Sequence, residues 1–271
     1  MSLKICILSS GSSGNSIYIA SDKTKLLIDA GLNAKQITLR LEKIGVNLKD
    51  INAICISHEH GDHTKAINLI HNKYQIPIYT NFLTKNALVK NEKFEKINFK
   101  IFETGSIFKI GDLSIESFIV PHDAEEAVGF RISNNTKSIG IITDVGMPTP
   151  LIIEKLKKCN LLVIEANYDE DLLTDAQRPY KLKQRIRGKL GHLSNIDAAR
   201  LITACHNNSL KEVILAHLSS DCNTPQTAIN TVKSQLNLDN VKDVNISVSL
   251  SFASNCLSFS KFCLASLVIS N

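Results

Sequence analysis

The chain reads as an α/β protein in which two β-sheets are sandwiched between outer helices. Two observations predict this. Strand runs followed by a helix and then a buried strand occur twice along the 271 residues, and no linker rich in Pro, Gly or Ser parts the two occurrences. Polar residues with metal-binding chemistry also recur at the ends of predicted strands, as on a rigid scaffold whose loops converge on one edge.

The first half opens with strands over Lys4–Leu8, Ser16–Ala20 and Lys25–Asp29, then a helix near Ala34–Ile44 and a buried strand from Ile51 to Ser57. Apolar residues at helical spacing follow from Thr64 through Ile70. The second half has strands near Leu113–Pro121, Val128–Ser133 and Ser138–Thr143, a helix near Thr149–Lys157 and a strand over Leu161–Ala166. Helices over Asn195–Cys205 and Pro225–Leu236 alternate with strands Glu212–Ala216 and Asn245–Phe252. One domain over 1–253 is expected, with 254–271 a tail that docks or frays. Serines and Lys261 interrupt its apolar run, which disfavours a membrane anchor.

Hydrophobic residues make up 44% and charged residues 21%, the balance of an ordinary globular protein. The opening apolar run, Met1–Ser10, is too short for a signal peptide, and no stretch approaches the roughly 20 apolar residues of a membrane span. Seven scattered cysteines without a C-x-x-C pair predict reduced, buried thiols and a cytoplasmic location. The net charge of +5 leans mildly toward polyanionic partners. Oligomeric state is not encoded legibly.

The most informative stretch is His58-Glu59-His60-Gly61-Asp62-His63, which spends three of eight histidines within six residues. Imidazole suits borderline divalent metals and carboxylate suits harder ones. In an extended segment His58 and His60 point the same way and can grip one ion, while Glu59 points away. Gly61 lets the chain turn, so Asp62 and His63 emerge in a new direction, toward a second ion. A helix cap at Asp62 or Thr64 would explain one polar side chain, not four. Asp29, His122, Asp144 and His217 stand at further strand ends. His71 and His206 fall on predicted helices and read as surface or capping residues, and Cys222 reads as packing.

These residues, in this order, resemble the metallo-β-lactamase superfamily, whose H-x-H-x-D-H motif is matched by His58, His60, Asp62 and His63. The resemblance implies a four-layer αββα sandwich with a two-metal site along one edge. It implies that His58, His60 and His122 hold one ion and Asp62, His63 and His217 the other, with Asp144 bridging. Asp29 resembles the carboxylate that supports these ligands from behind. More narrowly, Ser9–Ser16, Pro121–Ala124, Glu165-Ala166-Asn167, Leu182–Ile186 and Gly191–Asn195 resemble the YycJ/WalJ group of cytosolic bacterial hydrolases linked to nucleic-acid chemistry. Tyr168, where that group often has histidine, and Cys222-Asn223, where it tends to an Asn pair, are departures outside the implied ligands.

Two ions about 3.5–4 Å apart hold a hydroxide at neutral pH and offset a developing oxyanion, on a phosphodiester or a carbonyl alike. The choice falls to the substrate side. Arg178, Lys181, Lys183, Arg185, Arg187 and Lys189 run without an acidic residue toward Gly191-His192, as phosphate-binding charge leading to a metal centre would. Lys183, Arg185 and Arg187 are accordingly expected to contact substrate. The resemblance places His192 near the pocket, where it can assist the leaving group, while Asp62 orients the hydroxide. Asn15 in the glycine-serine loop and Ser194 at a helix start are further expected substrate contacts.

The expectation is therefore a phosphodiester hydrolase acting on nucleic acid, DNA before RNA, and by group resemblance a DNA exonuclease. Its cofactors would be two divalent ions, zinc or manganese, with iron also admissible. An RNA-processing enzyme or a small cyclic phosphodiester hydrolase is the alternative on the same scaffold. A metal-bound regulatory module without turnover is the alternative of another class, and an intact ligand set argues against it.

Overall fold

A computed structural model describes residues 2–249 and 256–258. In chain order the strands are β1 (Lys4–Ser9), β2 (Ser16–Ala20), β3 (Lys25–Ile28), β4 (Ala53–Cys55), β5 (Ile78–Thr80), β6 (Lys100–Ile101) and β7 (Ile107–Ile110). They continue with β8 (Leu113–Ile119), β9 (Val128–Ser133), β10 (Ser138–Ile142), β11 (Leu161–Glu165), β12 (Glu212–Ala216), β13 (Asn245–Val248) and β14 (Cys256–Ser258). The helices are α1 (Ala34–Lys43), α2 (Gly61–Thr64), α3 (Ile67–Tyr74), α4 (Phe82–Val89) and α5 (Glu92–Glu95). They are followed by α6 (Pro150–Leu156), α7 (Glu170–Asp175), α8 (Tyr180–Arg187), α9 (Asn195–Cys205) and α10 (Pro225–Leu238).

One sheet has the order β14-β1-β2-β3-β4-β5-β6 and the other β13-β12-β11-β10-β9-β8-β7. Each joins an antiparallel meander to a parallel half: β1 to β3 then β4 to β6, and β7 to β10 then β11 to β13. Successive side chains on a strand leave opposite faces, and this builds the layers. On β1, Ile5 and Ile7 meet Ile139, Ile141 and Ile214 of the other sheet, whereas Cys6 and Leu8 pack under Ile37 and Leu41 of α1. On β12, Ile214 and Ala216 turn inward, and Val213 and Leu215 turn toward α9 and α10. Three buried apolar layers thus hold four layers of structure. This is the αββα sandwich.

Helix termini follow their caps. Asn33 accepts from the Gln36 N–H at the start of α1, and Thr149 and Thr224 cap α6 and α10, each followed by proline in the first turn. The expected strand over Ile51–Ser57 is ordered as a ladder only over Ala53–Cys55. Beyond it the Ser57 N–H bonds to Asp29 Oδ1 instead. Residues 75–112 and 167–190 carry short elements that the sequence did not disclose, among them β5, α4, β7, α7 and α8. The end of the expected strand Asn245–Phe252 lies outside the described residues. So does the tail expected over 254–271, apart from β14, which pairs with β1.

Candidate metal centre

Sharp turns at strand ends deliver the site. Asp29, Asp144 and His217 follow β3, β10 and β12, and each takes positive φ, 61°, 55° and 56°. Non-glycine residues rarely adopt this left-handed region, and they persist there when the surrounding structure fixes them. Each reverses the chain so that its side chain faces the gap between the sheet edges. His58 and His60 stand in the loop after β4, and Asp62 and His63 on the first turn of α2. Beneath that turn lies Gly31, whose N–H donates to Asn15 O, 2.8 Å away. A Cβ on Gly31 would lie 1.5 Å from Asp62 O, so only glycine admits this approach.

The donor atoms converge as two adjoining sets. His58, His60 and His122 form one group able to hold a metal ion, and Asp62, His63 and His217 another, with all donor atoms of a group within 4.8 Å of one another. Asp144 joins them, grouped with His58 and His63 on one side and with His217 on the other. Its Oδ2 lies 3.2 Å from His63 Nε2 and its Oδ1 3.4 Å from His217 Nε2.

Four of the five rings are aimed from behind. His63 Nδ1 lies 2.8 Å from Asp29 Oδ2, and Ser57 Oγ lies 2.9 Å from the same oxygen and 3.0 Å from His58 Nδ1. His122 Nδ1 faces Gly191 O at 3.2 Å, and His217 Nδ1 faces Glu165 Oε1 at 2.9 Å. Imidazoles that ligate metals are held in this way, one nitrogen engaged and the other free for the ion. The free nitrogens fit that use: His58 Nε2 and His217 Nε2 are buried and have no hydrogen-bond partner among the described residues. Buried polar atoms are normally paired, so one such nitrogen in each donor set fits a partner that the chain itself does not supply.

The electrostatics agree. Burial, aided by neighbouring histidines, drives the His58 pKa well below its usual value, leaving a neutral ring with a lone pair. Burial pushes His63 the same way, but Asp29 and Asp144 override it and raise it to about 10. Burial resists ionisation of Asp144, yet His217 and His63 hold its carboxyl well below the ordinary range. The carboxylates favour positive charge between these rings, the field a divalent cation requires.

Glu165 stands fully buried at the end of β11. Its Oε1 accepts from His192 Nδ1 at 2.7 Å as well as from His217, and its Oε2 from the Val145 N–H at 2.9 Å. Against the cost of burial, His192 and His217 lower its pKa to about 2. Two further residues brace His217: Ser10 Oγ accepts its N–H, and Asn167 Nδ2 donates to its carbonyl, at 2.7 and 2.8 Å. No short-range spacing could have marked these partners.

The expected substrate contacts separate. Arg185 borders a cavity of about 200 Å³ that His192 and His217 also line. Lys183 instead donates to Thr174 O at 2.6 Å, and Arg187 pairs with Glu170 Oε2 at 3.0 Å, both toward α7. The basic run is not one track, because α8 winds it about 100° per residue and sends its charges to different sides. Arg178, just before α8, joins Arg185 at the cavity. Ser194 does not reach it: 2% exposed, its hydroxyl caps α9 by accepting the Asp197 N–H and donating to Asp197 Oδ2. Asn15 is also buried and stands against the donor atoms themselves, its Nδ2 2.9 Å from His63 Nε2 and 3.3 Å from Asp62 Oδ2, and its Oδ1 accepting the Gly11 N–H.

Glu59 turns away from the cluster and accepts the Glu125 N–H, while His71 bonds to Ile76 O and His206 ends α9. Cys222 packs with Tyr168, Leu173 and Ile186.

Fold and site define a metal-dependent hydrolase with a divalent-metal centre on one edge of an αββα sandwich. The comparisons then place it: the model of the Beta-lactamase superfamily domain matches residues 24–218, and the chain belongs to that family. An exodeoxyribonuclease YycJ of Bacillus anthracis is 35% identical over 243 residues, covering 87% of this chain and 90% of the relative. An exodeoxyribonuclease WalJ of Streptococcus pneumoniae is 38% identical over 236 residues, 86% of this chain and 88% of the relative. Among solved structures, the metallo-β-lactamase fold protein YhfI of Bacillus subtilis superposes with a TM-score of 0.73 over 95% of this chain and 99% of that one. At 18% identity this likeness concerns the fold.

Proposed function

We propose that this chain is a nuclease that hydrolyses phosphodiester bonds at the ends of DNA, as the names of its exodeoxyribonuclease relatives suggest. The observation that carries the reading is the adjacency of two donor sets, joined at Asp144, to an arginine-bordered cavity. A lactonase or thioesterase acting on a small neutral substrate has no use for those arginines.

In this reading the catalytic unit spans 1–253. His58, His60 and His122 hold one ion, Asp62, His63 and His217 the other, and Asp144 serves both. Zinc suits the histidines, and manganese or iron the carboxylates. Bound ions lower the pKa of a water and offset charge building on the phosphate oxygens. Asp62, the most exposed of the donor carboxylates, orients the attacking water. Burial pulls the His192 pKa down, but Glu165 overrides it, so the net shift is upward and favours the protonated ring. Glu165 holds that ring by Nδ1, leaving Nε2 to protonate the departing oxygen.

No helix among the described residues is long and apolar enough to cross a membrane. Cys55, Cys159, Cys205 and Cys222 are buried free thiols, which supports a reducing, cytoplasmic setting.

The test is an assay of purified protein, with manganese or zinc, on end-labelled DNA, RNA and bis-p-nitrophenyl phosphate. DNA should be shortened from an end faster than RNA. His192→Ala should slow cleavage about 10²–10⁴-fold with metal content intact, and lost metal in that variant would remove the proton-donor role.

A further inference from the structure

Two arginines face one cavity, and the proton transfer at His192 requires neither. Arg178 and Arg185 border the space of about 200 Å³ beside His192, with Ser12 and Ser219 on its walls and Leu182 and Ile186 of α8 beneath. Two guanidiniums bordering one cavity make it a favourable place for an anion.

Each arginine is tethered on one side. Arg178 reaches Asp221 Oδ2 through NH2 at 2.6 Å, and Arg185 reaches Asp123 Oδ2 through Nε at 2.6 Å and NH2 at 2.5 Å. A guanidinium has five N–H donors, so both tethers leave donors for a second anion. The tethers also fix the side chains in place, which reduces the ordering cost of binding.

Their position selects the anion. Asp123 Oδ1 lies 3.3 Å from His122 Nε2, so Arg185 stands one carboxylate away from the donor sets. An anion between the arginines is therefore beside the metal centre, not in it. The cavity is smaller than the roughly 300–1,000 Å³ that encloses a whole drug-sized ligand. It has room for a phosphate group between the two side chains.

We propose that Arg178 and Arg185 form a second phosphate subsite, which holds the phosphate next along the strand from the bond under attack. The proposal rests on the nuclease reading. It restricts the substrate to strands with phosphates on adjacent sugars and makes recognition there independent of base identity.

The experiment uses the metal-loaded enzyme on a thymidine dinucleotide with its single internal phosphate, on the same dinucleotide with a further phosphate at the 5′ or the 3′ end, and on bis-p-nitrophenyl phosphate. At least one doubly phosphorylated dinucleotide should show kcat/KM roughly ten- to a hundredfold above the singly phosphorylated one. Arg178→Ala should abolish that advantage while leaving bis-p-nitrophenyl phosphate turnover and metal content unchanged, and Arg178→Lys should keep part of it. Equal kcat/KM on all three dinucleotides would overturn the subsite, as would a loss in R178A that is equal on bis-p-nitrophenyl phosphate. Should R178A not fold, the wild-type comparison and R178K still decide. A holoenzyme that cuts neither DNA nor any dinucleotide removes the nuclease reading, and the subsite with it.

Discussion

His192 Nδ1 lies 2.7 Å from Glu165 Oε1, an oxygen that also takes the hydrogen bond of His217 Nδ1 at 2.9 Å. One buried carboxylate thus orients both a donor of the metal centre and the histidine that faces the cavity. Glu165→Gln keeps the size and removes the charge, and the amide NH2 must then face either the two ring nitrogens or the backbone N–H groups of Val145 and Leu193. Activity should fall about 10–100-fold, because supporting partners of metal-site histidines contribute on this scale. The alkaline limb of the kcat profile, where His192 loses its proton, should also move to lower pH, since Glu165 is what raises that pKa. Steady-state kinetics from pH 5 to 9 with parallel metal analysis would show it, and an unmoved profile would count against the pairing.

Gly31 bears on the centre without contributing a donor. Gly31→Ala places a methyl group on Asp62 O and must displace the first turn of α2. We expect a loss of stability of at least about 1–3 kcal/mol and weaker metal binding, read by denaturant unfolding and by metal titration. Gly61, where an added Cβ meets nothing within 4 Å, is the control for the same substitution and should be far milder.

Asp29→Asn addresses the support of His63. Asp29 Oδ2 receives both His63 Nδ1 and Ser57 Oγ, and Oδ1 receives the Ser57 N–H. The amide supplies one acceptor and turns the other position into a donor. Metal affinity should weaken about 10–100-fold with the fold retained, measured by competition with a chromophoric chelator.

These cases show what the sequence could disclose. His58 to His63 sit within one turn of chain, so spacing alone exposed their chemistry. Strands such as β2 and β9, and helix α9, carried clear periodicity and match their expected bounds. Glu165 and Gly31 act through neighbours distant in the chain, and no local pattern announces a carboxylate shared by His192 and His217. Helix α8 was missed because its apolar stripe is only Leu182 and Ile186, and its basic residues read as a continuous strip until the helix sorted them. Ser194 was legible as a cap and misplaced as a substrate contact for the same reason: a cap consumes the hydroxyl that a substrate would need.

Away from the site, Glu116 links two strands and a helix. It takes Arg131 NH2 at 2.5 Å and Lys155 Nζ at 2.6 Å. Burial opposes its charge, but Lys155 and Arg131 win and its pKa lies below the usual 4.5. A depressed folded-state pKa stabilises fully above the unfolded value and loses that contribution as pH falls through the folded one. Wild type should therefore lose stability below about pH 4.5. Glu116→Gln should be less stable by about 1–3 kcal/mol at pH 7, with the difference shrinking in acid. Urea unfolding at pH 7 and pH 3.5 would compare the two.

The central claim is that the two donor sets joined at Asp144 make this chain a divalent-metal nuclease. The most direct measurement is release of mononucleotides from end-labelled DNA by protein stripped with chelator and then reconstituted, beside Asp144→Ala treated identically. The account predicts no release from stripped wild type, full release after manganese or zinc is restored, and neither activity nor stoichiometric metal in D144A. Cleavage by the stripped protein at the same rate, or a D144A variant as active as wild type, would contradict it.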